Sequence, residues 1–106
     1  EDLDYYVSQF EGSGFRGGVN YYRNFHRNWE ITEHLQDAKI EVPTLFVAGQ
    51  KDMVIRGATA EMLRGMMGGA IPDLRDVVIV PERGHWIQQE DPVATNAAML
   101  EFLKSL

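Results

Sequence analysis

Two short apolar runs, one before and one after a helical pattern, constrain this chain more than any other feature. Val42-Pro43-Thr44-Leu45-Phe46-Val47-Ala48 is β-rich and ends at Gly49, and Val77-Val78-Ile79-Val80 is apolar throughout. Runs this short and continuous predict strands covered on both faces, as in parallel sheets. Between them the spacing predicts a helix over Ala58–Met67, with Thr59 as its cap, Met62, Leu63, Met66 and Met67 as its core stripe, and Gly68-Gly69 as its stop. A second strand is expected over Asp73–Val80. After it, Asp91 and Pro92 form an N-cap and N1 pair for a last helix striped by Val93, Ala97, Leu100 and Leu103, with Met99 and Phe102 alongside. The order from Ile40 onward is therefore strand, helix, strand, helix: an α/β fold, a βαβα unit with two parallel strands. Two strands are too few for a stable sheet, so partner strands are expected in an N-terminal part of the same protein or in another chain.

The segment before Ile40 has a different texture. Leu3, Tyr6, Val7 and Phe10 fall at i, i+3, i+4 and i+7, an amphipathic helix with Asp2 as its cap and Gly12-Ser13-Gly14 as its end. Phe15–Gly18 reads as a turn. Val19, Tyr22, Phe25 or His26, and Trp29 then mark one face of a second helix, with Arg23, Asn24, Arg27 and Asn28 toward solvent. Ile31–Lys39 is expected to be a short polar helix or loop anchored by Leu35. Two parts follow: a helical segment over 1–39 and the βαβα part over 40–106. A helix that starts at the first residues, with no leader, suggests a fragment.

At 106 residues, 44% hydrophobic and 25% charged, the chain is globular in composition. No apolar run approaches the roughly 20 residues needed to span a bilayer, so no membrane partner is expected. A net charge of −6 without a basic cluster argues against nucleic acid as a partner. The absence of cysteine excludes disulfides and thiolate metal sites, and fits a reducing compartment; a cytoplasmic location is expected. His26, His34 and His85 lack metal-binding spacing, so no metal or cofactor is expected. His34 is expected at the surface and His26 in packing.

The chemistry-bearing residues sit where the strands end. Asp52 follows the first strand and His85 the second, and parallel neighbours carry such loops to the same edge of the sheet, where open α/β sheets bind ligands. A carboxylate bonded to the imidazole Nδ1–H fixes the tautomer and leaves Nε2 to take a proton from a nucleophile or a water. Trp86, beside the histidine, is placed to wall a substrate pocket. Taken singly, His85 is more often a loop histidine with a satisfied hydrogen bond, Asp52 a turn residue, and Trp86 core packing; their convergence favours function.

The chain resembles the C-terminal portion of α/β-hydrolase-fold enzymes, and within them the soluble epoxide hydrolases. The resemblance covers essentially the whole chain. It is carried by Tyr5-Tyr6-Val7-Ser8-Gln9-Phe10 with Ser13-Gly14-Phe15-Arg16-Gly17, by Asn20-Tyr21-Tyr22-Arg23-Asn24 with Arg27-Asn28-Trp29, by Val42-Pro43 leading to Gly49-Gln50-Lys51-Asp52, and by Gly84-His85-Trp86-Ile87-Gln88-Gln89-Glu90. The glycine–histidine pair and the strand-end aspartate are common to the superfamily, whereas the Asn-Tyr-Tyr-Arg segment is narrower. The resemblance implies that residues 1–39 are cap helices and that Tyr22 is a cap tyrosine aimed at the epoxide oxygen. It also implies that His85 and Asp52 activate the water that hydrolyses an alkyl-enzyme ester. A tyrosine of pKa about 10 stays protonated at neutral pH yet can stabilise a nascent alkoxide.

What the family needs and these residues lack is the nucleophile. No strand-to-helix elbow of the G-x-S-x-G kind, or its aspartate version, occurs in the sequence: Ser8, Ser13 and Ser105 lie in helical or turn contexts. The 106 residues alone are therefore expected not to turn over epoxides, and to need the N-terminal half or another chain as partner. Three alternatives stand beside this reading. One is a haloalkane or haloacid dehalogenase, and another a serine hydrolase of the same fold. The third is a non-catalytic fragment that completes another chain's sheet or pairs with a second copy of itself.

Overall fold

The computed structural model describes all 106 residues, which form two compact units, Glu1–Asp37 and Ala38–Leu106. The first is helical: α1 (Asp2–Ser13), α2 (Arg16–Arg23) and α3 (Phe25–Ile31), then one 3₁₀ turn at Glu33–Leu35. Gly14 ends α1 at a positive φ of 64°, a conformation that glycine adopts without a Cβ clash, and its N–H donates to Phe10 O at 2.8 Å. Phe10 and Phe15 then stack with ring centroids 4.6 Å apart, closing the corner.

Several local expectations change in this unit. Asp2 is not the cap: it lies inside the first turn of α1, where its charge still complements the helix dipole, and no side chain caps that end. The expected turn at Phe15–Gly18 shrinks to Gly14-Phe15, because Gly17 and Gly18 enter the first turn of α2 and Val19 N–H bonds Phe15 O at 3.0 Å. The single helix expected from Val19 to Trp29 is two, meeting at Asn24, whose N–H still bonds Asn20 O. His26 does not pack in an interior; its exposed ring stacks on Trp29 and brings Nε2 within 3.3 Å of Glu30. Leu35, the expected anchor, is half exposed rather than buried.

The second unit holds the sheet. Strands β1 (Thr44–Gly49) and β2 (Leu74–Val80) pair in parallel, from Thr44 opposite Leu74 to Gly49 opposite Val80. One extra β2 residue, Arg75, interrupts the register between Thr44 and Leu45. Because side chains alternate along a strand, that single insertion puts Leu74 and Val77 on the same face. Leu74, Val77 and Ala48 form a core with Ile55 and Leu63, flanked by Phe46, Ile79 and Met67. On the other face Leu45 and Val78 line an open cleft together with Ala94, Ala98 and Phe102 of helix α6 (Pro92–Lys104).

Helix α4 (Ala60–Met67) covers the core face, started by Thr59, whose Oγ1 accepts the Met62 N–H at 3.2 Å. Only Leu63 is buried there, with Ala60 and Met67 partly so, whereas Met62 and Met66 are exposed. The four-residue core stripe expected on this helix thus narrows to one row at 60, 63 and 67, all that a helix of two turns presents to a two-stranded sheet. Asp91 caps α6, accepting the Ala94 N–H at 3.0 Å, with Pro92 in the first turn. The inward face of α6 is Ala94, Thr95, Ala98 and Phe102, whereas Val93, Leu100 and Leu103 of the expected stripe are exposed. The small side chains at 94 and 98 permit close approach, and the buried Thr95 hydroxyl is shared between Ile87 O (3.1 Å) and Asp91 O (2.9 Å). One element was not anticipated: a single helical turn, α5 (Ile87–Glu90), directly after the histidine loop. No helix is long and apolar enough to cross a membrane.

Candidate active site

Parallel pairing brings the two strand ends side by side, and the loops that follow are tied together by backbone. Gln50 N–H donates to Val80 O at 2.9 Å and Lys51 N–H to Arg83 O at 2.8 Å. Glu82 N–H donates to Gln50 Oε1 at 3.1 Å, and the Lys51 ammonium pairs with the Glu82 carboxylate across the same gap. The approach is so close that a Cβ on Gly49 would lie 2.1 Å from Gly84 O and 2.3 Å from Arg83 O, so no side chain fits at position 49.

This frame delivers Asp52 and His85 to one another. Asp52 is 8% exposed, and its two carboxylate oxygens have separate tasks. Oδ1 accepts the Val54 N–H at 2.8 Å, closing a local turn, and Oδ2 lies 2.9 Å from His85 Nδ1. The Val54 N–H first, and the His85 ring second, hold the Asp52 carboxyl below its ordinary range against the opposing effect of burial. A carboxylate that stays ionised accepts from Nδ1–H, which leaves the free lone pair on Nε2, and about half of the His85 side chain is open to solvent. Trp86 stands edge-on to the imidazole at 5.0 Å between centroids and 76° between planes, itself 58% exposed.

Of the residues singled out from the sequence, Asp52, His85 and Trp86 come together within the second unit. Tyr22 stands on α2 of the first unit, 72% exposed, its ring 5.5 Å from that of Phe25. The exposed Tyr21 precedes it on the same helix. Two residues that shape the loops around this pair were not foreseen. One is Gly49, whose close approach could have been suspected from a glycine ending a buried strand. The other is Glu90, whose carboxylate accepts the N–H groups of Gly84 and Trp86.

Comparison with known proteins gives the site its context. No family model matches the chain. Epoxide hydrolase A of Mycobacterium tuberculosis is 42% identical over 106 residues, covering 100% of this chain and 32% of that protein. The homologues of this chain are epoxide hydrolases. The rat bifunctional epoxide hydrolase 2 is 41% identical over 105 residues, 99% of this chain and 18% of that one. Among solved structures, potato epoxide hydrolase I superposes with a TM-score of 0.87 at 36% identity, over 98% of this chain and 33% of that one. Epoxide hydrolase A from Mycobacterium thermoresistibile gives 0.83 at 42% identity over 96% and 31%. The chain thus spans about a third, or less, of the length of the relatives it matches. Its fold is that of the C-terminal part of an α/β hydrolase.

Proposed function

We propose that this chain provides the water-activating half of an epoxide hydrolase, with His85 as general base and Asp52 as the group that orients it. The observation that carries the reading is the 2.9 Å contact between His85 Nδ1 and the buried Asp52 carboxylate, at adjacent strand ends in a chain whose relatives are epoxide hydrolases. In the complete enzyme a nucleophilic carboxylate attacks an epoxide carbon, the carbon–oxygen bond of the ring breaks, and the alkoxide takes a proton from a cap tyrosine, the role assigned to Tyr22. A water then adds to the acyl carbon of the resulting ester while His85 Nε2 takes its proton. The acyl–oxygen bond breaks, the diol oxygen leaves with that proton, and the second proton of the water passes from the carboxyl group to the tyrosinate, regenerating both the carboxylate and the tyrosine. Dividing one displacement into two easier steps is the benefit of the covalent route. Trp86 forms part of the apolar wall, and residues 1–39 act as the cap.

The test is reconstitution. The chain is co-expressed with the complementary N-terminal part of M. tuberculosis epoxide hydrolase A, and diol formation from styrene oxide is followed. The 106-residue chain alone yields no diol, the reconstituted enzyme does, and His85→Gln lowers the rate by about a hundredfold or more. Tyr22→Phe slows ester formation by a similar factor. Undiminished diol formation by reconstituted His85→Gln would overturn the assignment, and halide release without diol formation would replace epoxide hydrolysis with dehalogenation.

A further inference from the structure

We propose that Glu90 is the positioning residue for His85, an inference that rests on reading His85 as the base. The Glu90 carboxylate accepts two backbone hydrogen bonds, Oε2 from Gly84 N–H at 2.7 Å and Oε1 from Trp86 N–H at 3.1 Å. Gly84 and Trp86 are the residues on either side of the histidine, so one carboxylate grips the backbone before and after it. Bonds from N–H to an ionised carboxylate are shorter and about twice as strong as neutral ones.

The local sequence makes the grip. Trp86 is the N-cap of α5 and Glu90 its last residue, so the glutamate side chain folds back over its own turn to the cap N–H. This is the reciprocal half of a capping box, displaced by one residue. Gly84 supplies the room: a Cβ there would lie 3.1 Å from Glu90 Oε1 and 3.4 Å from Oε2. The turn itself is anchored from behind, where the Thr95 hydroxyl donates to Ile87 O and Arg83 Nε meets Asp91 Oδ2 at 3.2 Å.

Asp52 and Glu90 therefore divide the task. Asp52 selects the imidazole tautomer through Nδ1, and Glu90 fixes the backbone from which the ring projects. Without Glu90 the Asp52 contact becomes a hinge about which the ring swings, and a displacement of about 1 Å at a reacting group can cost on the order of a hundredfold in rate.

Two measurements test this. In the reconstituted enzyme, nuclear magnetic resonance follows the His85 ring nitrogens and the exchange protection of the Gly84 and Trp86 amides. Glu90→Ala is expected to lower protection at both amides about tenfold or more and to broaden the His85 ring signals as the ring swings about its Asp52 contact, with partial restoration in Glu90→Gln, which keeps one acceptor oxygen. Unchanged amides and ring signals in Glu90→Ala would overturn the proposal. In the reconstituted enzyme, Glu90→Ala slows ester hydrolysis about tenfold to a hundredfold, leaving ester formation and kcat/KM unchanged. Ester hydrolysis at the unsubstituted rate would also overturn it. Should Glu90→Ala fail to fold, Gly84→Ala crowds the same carboxylate, and the same loss is expected in milder form; its absence counts against the proposal. Failure of His85→Gln to slow ester hydrolysis removes the base reading itself. A slow His85→Gln beside an unaffected Glu90→Ala removes only the positioning role.

Discussion

The second unit of this molecule is richer in apolar side chains than the first, and the two use them differently. In Ala38–Leu106 they cover both faces of a parallel pair, and Ala48, Leu63, Leu74, Val77 and Val80 are nearly inaccessible. In Glu1–Asp37 no residue is buried, and Leu3, Tyr22, Phe25 and Trp29 all stay more than 60% exposed. Short helices take most of their stability from packing of an apolar face, so the first unit has little to hold it beyond its internal hydrogen bonds and ring stacks. The comparison teaches where rigidity lies: the His85–Asp52 pair is built on the unit with a core, while Tyr22 stands on the unit without one.

Mutations can break or sharpen that contrast. The largest effect is expected at Leu63, 7% exposed in the core, where Leu63→Ala costs about 3 kcal/mol of the stability of the reconstituted enzyme in urea titrations. A cost at Leu63 below about 1 kcal/mol would contradict the core of the second unit. Next comes Gly49→Ala, whose Cβ would strike the carbonyls of Arg83 and Gly84. It is expected to cost about 2 kcal/mol and to part the two loops, measured as lost amide protection at Lys51. Asp91→Ala removes the cap of α6 and the Arg83 pair, for about 1 kcal/mol.

The smallest effect is the pH dependence. Asp52 is held below the ordinary carboxylate range by the Val54 N–H and His85, Asp91 by the Ala94 N–H and Arg83, and Glu82 by Lys51. A carboxylate depressed in the folded state stabilises it above the unfolded pKa of about 4, and that contribution is lost as pH falls through the folded value. Acid titration followed by circular dichroism is therefore expected to show stability falling below about pH 4, with a shallower fall in Asp52→Asn. An identical acid profile for Asp52→Asn would show that this carboxylate contributes nothing to it.

How much of this the sequence disclosed follows the same division. Continuous apolar runs and side-chain caps are local signals, so β1, β2, Thr59 and Asp91 were legible, and parallel pairing then implied the meeting of Asp52 with His85. The inward face of α6 was not legible, because Val93, Ala97 and Leu100 are as apolar as the Ala94, Ala98 and Phe102 that face inward; only the approach of the sheet decides between them. Gly17 and Gly18 suggested a turn because glycine disfavours helix, yet both are helical. The α5 turn and the Glu90 clamp depend on a side chain reaching back to two backbone amides, a contact that spacing hints at and only coordinates display.

The central claim is that His85 acts after the ester has formed. Mass spectrometry of the reconstituted His85→Gln enzyme, mixed with styrene oxide and quenched early, tests it most directly. The account predicts that the N-terminal part gains the mass of one epoxide and retains it, with diol appearing only slowly. An N-terminal part that stays at its own mass while diol forms at the unsubstituted rate would contradict it.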